Sequence, residues 1–141
     1  MTSVNPYLIF DGNCEEAFNF YKKVFGGEFQ VISRFKDLPP TPGMEIPEQF
    51  QNRIMHISLP ISKESVLMAG DSNPAMGEVK MGDNISLSVN TESTSEADRI
   101  FSGLAAGGKI TMPIAKAFWG AYFGMLTDKF GINWMVNCDV K

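Results

Sequence analysis

Residues Phe118 to Asn137 read FWGAYFGMLTDKFGINWMVN. The stretch holds both tryptophans of the chain, Trp119 and Trp134, together with Phe118, Tyr122, Phe123 and Phe130. Between two apolar runs, Gly120 to Leu126 and Ile132 to Asn137, lies Thr127-Asp128-Lys129-Phe130-Gly131. Polar residues ending on a glycine favour a turn, because glycine takes the positive φ that closes it at little cost. The pattern predicts a hairpin with bulky walls.

Upstream, Asn84 to Val89 alternates, with Ile85, Leu87 and Val89 against Asn84, Ser86 and Ser88, as a strand does. Ser93 with Glu96 three residues later has the spacing of a capping box. Ala97, Ile100, Phe101 and Leu104 then form one apolar helical stripe, which Gly107-Gly108 ends. Lys109 to Ile114 reads as a strand, and Pro113 places it at a sheet edge. The first half follows the same plan. A short apolar run, Val4 to Phe10, carries Pro6 near a strand start; Asp11-Gly12 turns; Asn13 and Glu16 have capping-box spacing. Ala17, Phe18, Tyr21, Val24 and Phe25 make the stripe, and Gly26-Gly27 ends it. Strands are expected at Glu28 to Lys36, Arg53 to Ile61 and Ser65 to Gly70. From cap to glycine is 13 residues in one half (13 to 26) and 14 in the other (93 to 107). Each half is thus strand, helix, then three strands. The expectation is a single α+β domain spanning 1–141, with module one at about 1–71, a linker at about 72–83 and module two at about 84–141. The loop 37–52, with Pro39, Pro40, Pro42, Gly43 and Pro47, is long enough to be a lid, an interface or a mobile segment.

Composition bounds the partners. At 141 residues, 44% hydrophobic and 20% charged, the chain matches a globular domain with a sizeable core. Net charge is -4 and no basic run exceeds Lys22-Lys23, which argues against nucleic acid or an anionic membrane surface. No apolar run reaches the roughly 20 residues of a membrane helix, and the first residues lack an export signal, so a cytoplasmic location is expected. Cys14 and Cys138 read as reduced thiols.

Pro6-Tyr7-Leu8, Phe10, Gly12, Ala17, Phe20-Tyr21 and Phe25-Gly26 carry a resemblance, continued by His56, Phe118-Trp119-Gly120, Asp128-Lys129-Phe130-Gly131 and Trp134. With the tandem βαβββ plan, the chain resembles the vicinal-oxygen-chelate superfamily, the glyoxalase/bleomycin-resistance/dioxygenase group, in its PhnB-like branch. The resemblance implies two modules of curved mixed sheet around a cup, with helices on the convex side, and a homodimer. It also implies that metal-using members draw His, Gln or Glu ligands from the first and last strands of each module. Carried onto this chain, those positions hold Pro6, Met68, Asn84 and Met135. None suits a hard or borderline divalent cation, and the neighbours Leu67, Ala69, Trp134 and Val136 are no better. No metal and no cofactor are expected.

His56, the single histidine, lies beside Ser58 on the polar face of its strand and is the one candidate general base. Asn84, Ser86 and Ser88 make a neutral polar row. Trp119 and Phe123 offer pocket walls, and Met68 and Met135 an adaptable floor. The expected ligand-binding set is therefore His56, Ser58, Met68, Asn84, Ser86, Trp119, Phe123 and Met135, for a small apolar or aromatic molecule. Two alternatives stand beside it. One is a metal-dependent lyase or dioxygenase pairing His56 with a carboxylate such as Asp71. The other is a non-catalytic interaction dimer using the aromatic tail. Methyl transfer is not expected, because both Gly-Gly pairs follow helices, whereas a nucleotide-type donor site wants a glycine turn between strand and helix.

Overall fold

The structure, a computed structural model, describes residues 2–139 apart from Pro40, Thr41, Met44 and Met76. The chain divides into two compact units, 1–80 and 81–141. In the first, β1 (Tyr7–Phe10) leads into α1 (Cys14–Phe25), followed by β2 (Val31–Arg34), β3 (Ile54–Pro60) and β4 (Val66–Asp71). In the second, β5 (Leu87–Thr91) leads into α2 (Thr94–Ala105), then β6 (Lys109–Lys116), β7 (Ala121–Thr127) and β8 (Asn133–Asp139). Strand order is β1-β4-β3-β2 in one sheet and β5-β8-β7-β6 in the other. In each sheet the first strand pairs parallel with the last and the remaining pairs are antiparallel. The expected α+β double βαβββ is the observed topology.

Each helix covers one face of its sheet. Phe10 meets Phe18 edge to face at 6.4 Å, and its neighbours across the sheet set that face: Leu8, Ala69 and Ile57 share it, with Leu59 and Leu67. Ala17, Phe18 and Tyr21 of α1 and Ile57, Leu59 and Ala69 of the sheet are completely buried. In the second unit Trp134, Val136, Leu126 and Leu104 play the same part. Burying each large side chain contributes about 2 kcal/mol, so these two stripes supply much of the folding free energy.

Two buried carboxylates pin the chain where packing alone would not. Asp71, 3% exposed at the end of β4, accepts the N–H of Gly12 (2.9 Å) and Cys14 (3.0 Å) on one oxygen and that of Ile54 (2.9 Å) on the other. Asp128, also 3% exposed, accepts the N–H groups of Phe130 (2.8 Å) and Ile132 (3.0 Å) and the Trp134 indole N–H (2.8 Å). The β7–β8 turn is thereby closed, and Gly131 supplies its positive φ of 89°.

Several expectations need correction. Asn13 makes no side-chain cap, because it sits at φ -110°, ψ 21° rather than in the extended conformation of a cap; the first N–H of the helix, that of Cys14, is met by Asp71. Ser93 does cap α2, accepting the Glu96 N–H at 3.1 Å. The second module's first strand begins at Leu87, not Asn84, and β2 is shortened by a single 3-10 turn at Phe35–Asp37. The expected loop holds one such turn, Glu48–Phe50; its Pro40 falls outside the described residues. Cys14 and Cys138 are free and buried.

Arg34 grips Glu15 with both guanidinium nitrogens (2.7 and 3.1 Å), tying the first turn of α1 to β2. That hydrogen bond holds the Glu15 carboxyl below its usual range. A depressed carboxylate stabilises the fold above its unfolded pKa and loses that contribution as pH falls through its folded value. The stability gap between wild type and Glu15→Gln, followed by urea unfolding, should be constant above about pH 5 and close below about pH 4. Asp71→Ala, which orphans buried N–H groups at three residues, should cost about 3 kcal/mol in the same assay. The exposed Asp139→Ala should stay within about 0.5 kcal/mol.

Candidate functional site

Side chains alternate across a sheet, so the face away from each helix is fixed by register. In the first unit the row Tyr7, Met68, Ser58, Val31 runs across all four strands on that face. His56 and Ser33 are paired one step along it, with Ile9 and Gly70 on the neighbouring strands. His56 is half-buried. Its ring lies almost parallel to that of Tyr7, centroids 5.6 Å apart, and its Nδ1 is 3.3 Å from the Tyr7 hydroxyl. That hydroxyl donates in turn to the Met55 carbonyl at 3.3 Å. Burial, and secondarily Cys14, raise the Tyr7 pKa, so the phenol keeps its proton.

Gly70 makes the arrangement sterically feasible. A Cβ there would lie 2.6 Å from the Met55 carbonyl oxygen and 3.0 Å from the Tyr7 hydroxyl. Ser58 is 4% exposed and its Oγ has no hydrogen-bond partner among the described residues. A buried hydroxyl left unpaired costs about 1–3 kcal/mol, so it marks a place where a polar group is wanted.

In the second unit the corresponding row is Ser88, Met135, Met125, Met112. Three thioethers therefore stand in register on adjacent strands. The next row is Asn90, Asn137, Phe123, Ala115, in which Asn137 Nδ2 donates to Asn90 Oδ1 at 3.3 Å. Trp119 packs edge to face on Phe123 at 5.6 Å and carries Phe118 against its own other side at 5.1 Å. Trp119 is 56% exposed, whereas Trp134 is 2% exposed.

The expected set thus falls into two groups. His56, Ser58 and Met68 share a face of the first unit; Met135, Phe123 and Trp119 gather in the second. Asn84 and Ser86 lie ahead of β5, Asn84 exposed and Ser86 half-buried; Ser88 and Asn90 occupy the strand positions of the polar row. Met112 and Met125 were not singled out from the sequence. The register that aligns them passes through bulges in β6, which alternation alone does not reveal.

The chemistry of the positions that would hold the family's metal can be tested directly. Pro6 uses its carbonyl to accept the Met68 N–H at 3.2 Å and has no side-chain donor; Met68 stands opposite Tyr7, and Met135 opposite Ser88. Two thioethers, the neutral amide of Asn84 and a proline do not fit a hard divalent cation. Asp71 cannot complete a pair with His56: it lies on the helix-covered face, its oxygens occupied by backbone N–H groups, while His56 projects from the other face. Among the described residues no group of three His, Cys, Asp or Glu side chains converges. Cys14 is no nucleophile: burial first, then the charges of Asp71 and Glu15, push its thiol pKa well up.

The two βαβββ units share the fold of solved structures of the glyoxalase/bleomycin-resistance/dioxygenase type. Residues 2–137 match the model described as 3-demethylubiquinone-9 3-methyltransferase, and the chain belongs to that family. Protein YjdN of Escherichia coli K12 is 32% identical over 143 residues, covering 95% of this chain and 93% of its own. The structure of protein PA1353 from Pseudomonas aeruginosa superposes with a TM-score of 0.87 at 40% identity, covering 100% of both chains. A PhnB protein from Bacillus cereus, described as a putative 3-demethylubiquinone-9 3-methyltransferase, gives 0.75 at 29% identity, covering 97% of this chain and 99% of its own. Among the described residues no helix is long and apolar enough to cross a membrane.

The contrast between the tryptophans gives a direct check. Acrylamide should quench the emission of Trp119 readily and leave that of Trp134 largely protected. Trp119→Phe should then remove most of the quenchable fraction, as measured by Stern–Volmer slopes.

Proposed function

We propose that this chain binds a small, largely apolar or aromatic molecule against the helix-free faces of its sheets, without a divalent metal. The observation that carries the reading is the uncharged character of the central rows: Tyr7, Met68, Ser58 and Val31 in one unit, Ser88, Met135, Met125 and Met112 in the other. Thioethers adapt to the outline of a planar ligand and make favourable contacts with its ring. Within the second unit Trp119 and Phe123 add aromatic surface, and within the first Ser58 and His56 offer polar points, so each face by itself sets a few polar groups beside apolar area. Asn84 and Ser86, just ahead of β5, stay in the proposed set as rim residues. Sequestration fits this composition, because among the described residues no carboxylate is hydrogen-bonded to His56. Methyl transfer has no supporting feature, since Gly26-Gly27 and Gly107-Gly108 both follow helices.

A homodimer is the second element of the proposal, favoured by Phe118, which is 98% exposed at the tip of the β6–β7 connection. Light scattering coupled to size exclusion should return twice the mass of the chain, and Phe118→Ser should shift it toward the monomer.

A thermal-shift screen of small aromatic molecules tests the binding reading. A ligand that binds the folded form at 100 times its Kd adds about 2.7 kcal/mol and raises Tm. The shift should persist in EDTA and fall in Met135→Glu. Loss of the shift in EDTA, or native mass spectrometry of untagged protein showing one divalent metal per chain, would overturn it.

A further inference from the structure

The Tyr7 hydroxyl has one hydrogen and faces two neighbours. One of them, the Met55 carbonyl oxygen at 3.3 Å, can only accept. With the phenol proton given to Met55, the contact with His56 Nδ1, also 3.3 Å, is one the histidine donates. In a neutral imidazole a proton on Nδ1 leaves Nε2 with a lone pair. The stacking of the rings, 22° from parallel, fixes the orientation in which that lone pair is presented. Gly70 contributes by leaving the space that the hydroxyl and the Met55 carbonyl occupy.

We infer that Tyr7 is a positioning residue that holds His56 as its Nδ1–H tautomer, so that Nε2 is an acceptor reserved for a ligand bearing a hydroxyl or N–H donor. Ser58 supplies the second point of recognition. Its buried, unpartnered Oγ belongs to the residue two positions along β3 on the same face, a strand rise of about 6.8 Å between the two Cα atoms. A hydroxyl can give or accept, so it pairs with either kind of polar atom on the ligand. The ligand class that follows is a neutral aromatic molecule with at least one hydroxyl, amide or amine hydrogen. The ligand part rests on the binding reading of the preceding subsection; the tautomer part does not.

His56 is the single histidine of the chain, so its ring nitrogens give one unambiguous pair of signals in long-range 1H–15N NMR of labelled protein. At alkaline pH, where imidazole is neutral, Nδ1 should resonate as a protonated, pyrrole-type nitrogen and Nε2 as an unprotonated, pyridine-type one. Tyr7→Phe removes only the hydroxyl from a residue that is 45% exposed, so the fold should survive and the two signals should move toward each other. An Nε2–H pattern in the wild type, or an unchanged pattern in Tyr7→Phe, overturns the inference. Phenol and anisole then test selectivity, since they share a ring and differ in the donor. Phenol should move the Nε2 signal and bind roughly tenfold more tightly than anisole, the cost of leaving an acceptor unpaired. Equal binding of the two overturns the donor requirement. Binding of neither counts against the ligand reading of the previous subsection, while the tautomer result still decides this one.

Discussion

Three donated hydrogen bonds to one buried carboxylate, made once in each unit, are the constraint on which the remaining structure depends. A strand-helix-strand segment has no local means of fixing where its helix starts relative to a strand dozens of residues away. Asp71 does so by reaching from the end of β4 to the entrance of α1 and to the start of β3. Asp128 acts locally, closing the last hairpin and holding the Trp134 indole within it. A carboxylate inside a protein is tolerable only when its lone pairs are met by donors, so each also enforces the geometry around it. The helix face of each sheet is thereby rigid, which leaves the other face to vary in chemistry without loss of the fold.

The repeated plan was legible because its signals are local. Glycine pairs at equal distances, stripes of helical period and strands of period two survive in the letters, and all eight strands and both helices follow from them. What failed was non-local. Asn13 has the spacing of a cap, yet the first N–H of the helix, that of Cys14, is met by Asp71, 57 residues further on. The Tyr7–His56 contact spans 49 residues and depends on the absence of a side chain at Gly70. Asn84 and Ser86 obeyed the alternation, but pairing with β8 begins only at Leu87. The three-methionine row needed cross-strand register through a bulged strand, which no single-strand pattern contains.

Met68 and Met135 stand at corresponding places in the two units, each on the last strand and each opposite the first. Thioethers are poor ligands for hard cations and make favourable contacts with polarisable organic groups. In the proposed reading Tyr7, His56 and Ser58 select by hydrogen-bond direction rather than by charge.

The strand β6 has one further consequence. It is the outer strand of its sheet, with Ile110 49% and Met112 45% exposed, and such an apolar margin would ordinarily template growth of the sheet onto another chain. Pro113 removes one backbone donor from the middle of it, and the ladder slips between Ile110 and Met112 and again between Met112 and Ala115. An arriving strand would find neither a continuous row of donors nor a constant spacing. The same irregularity that hid the methionine row from the sequence pattern protects the protein against fibril-like stacking.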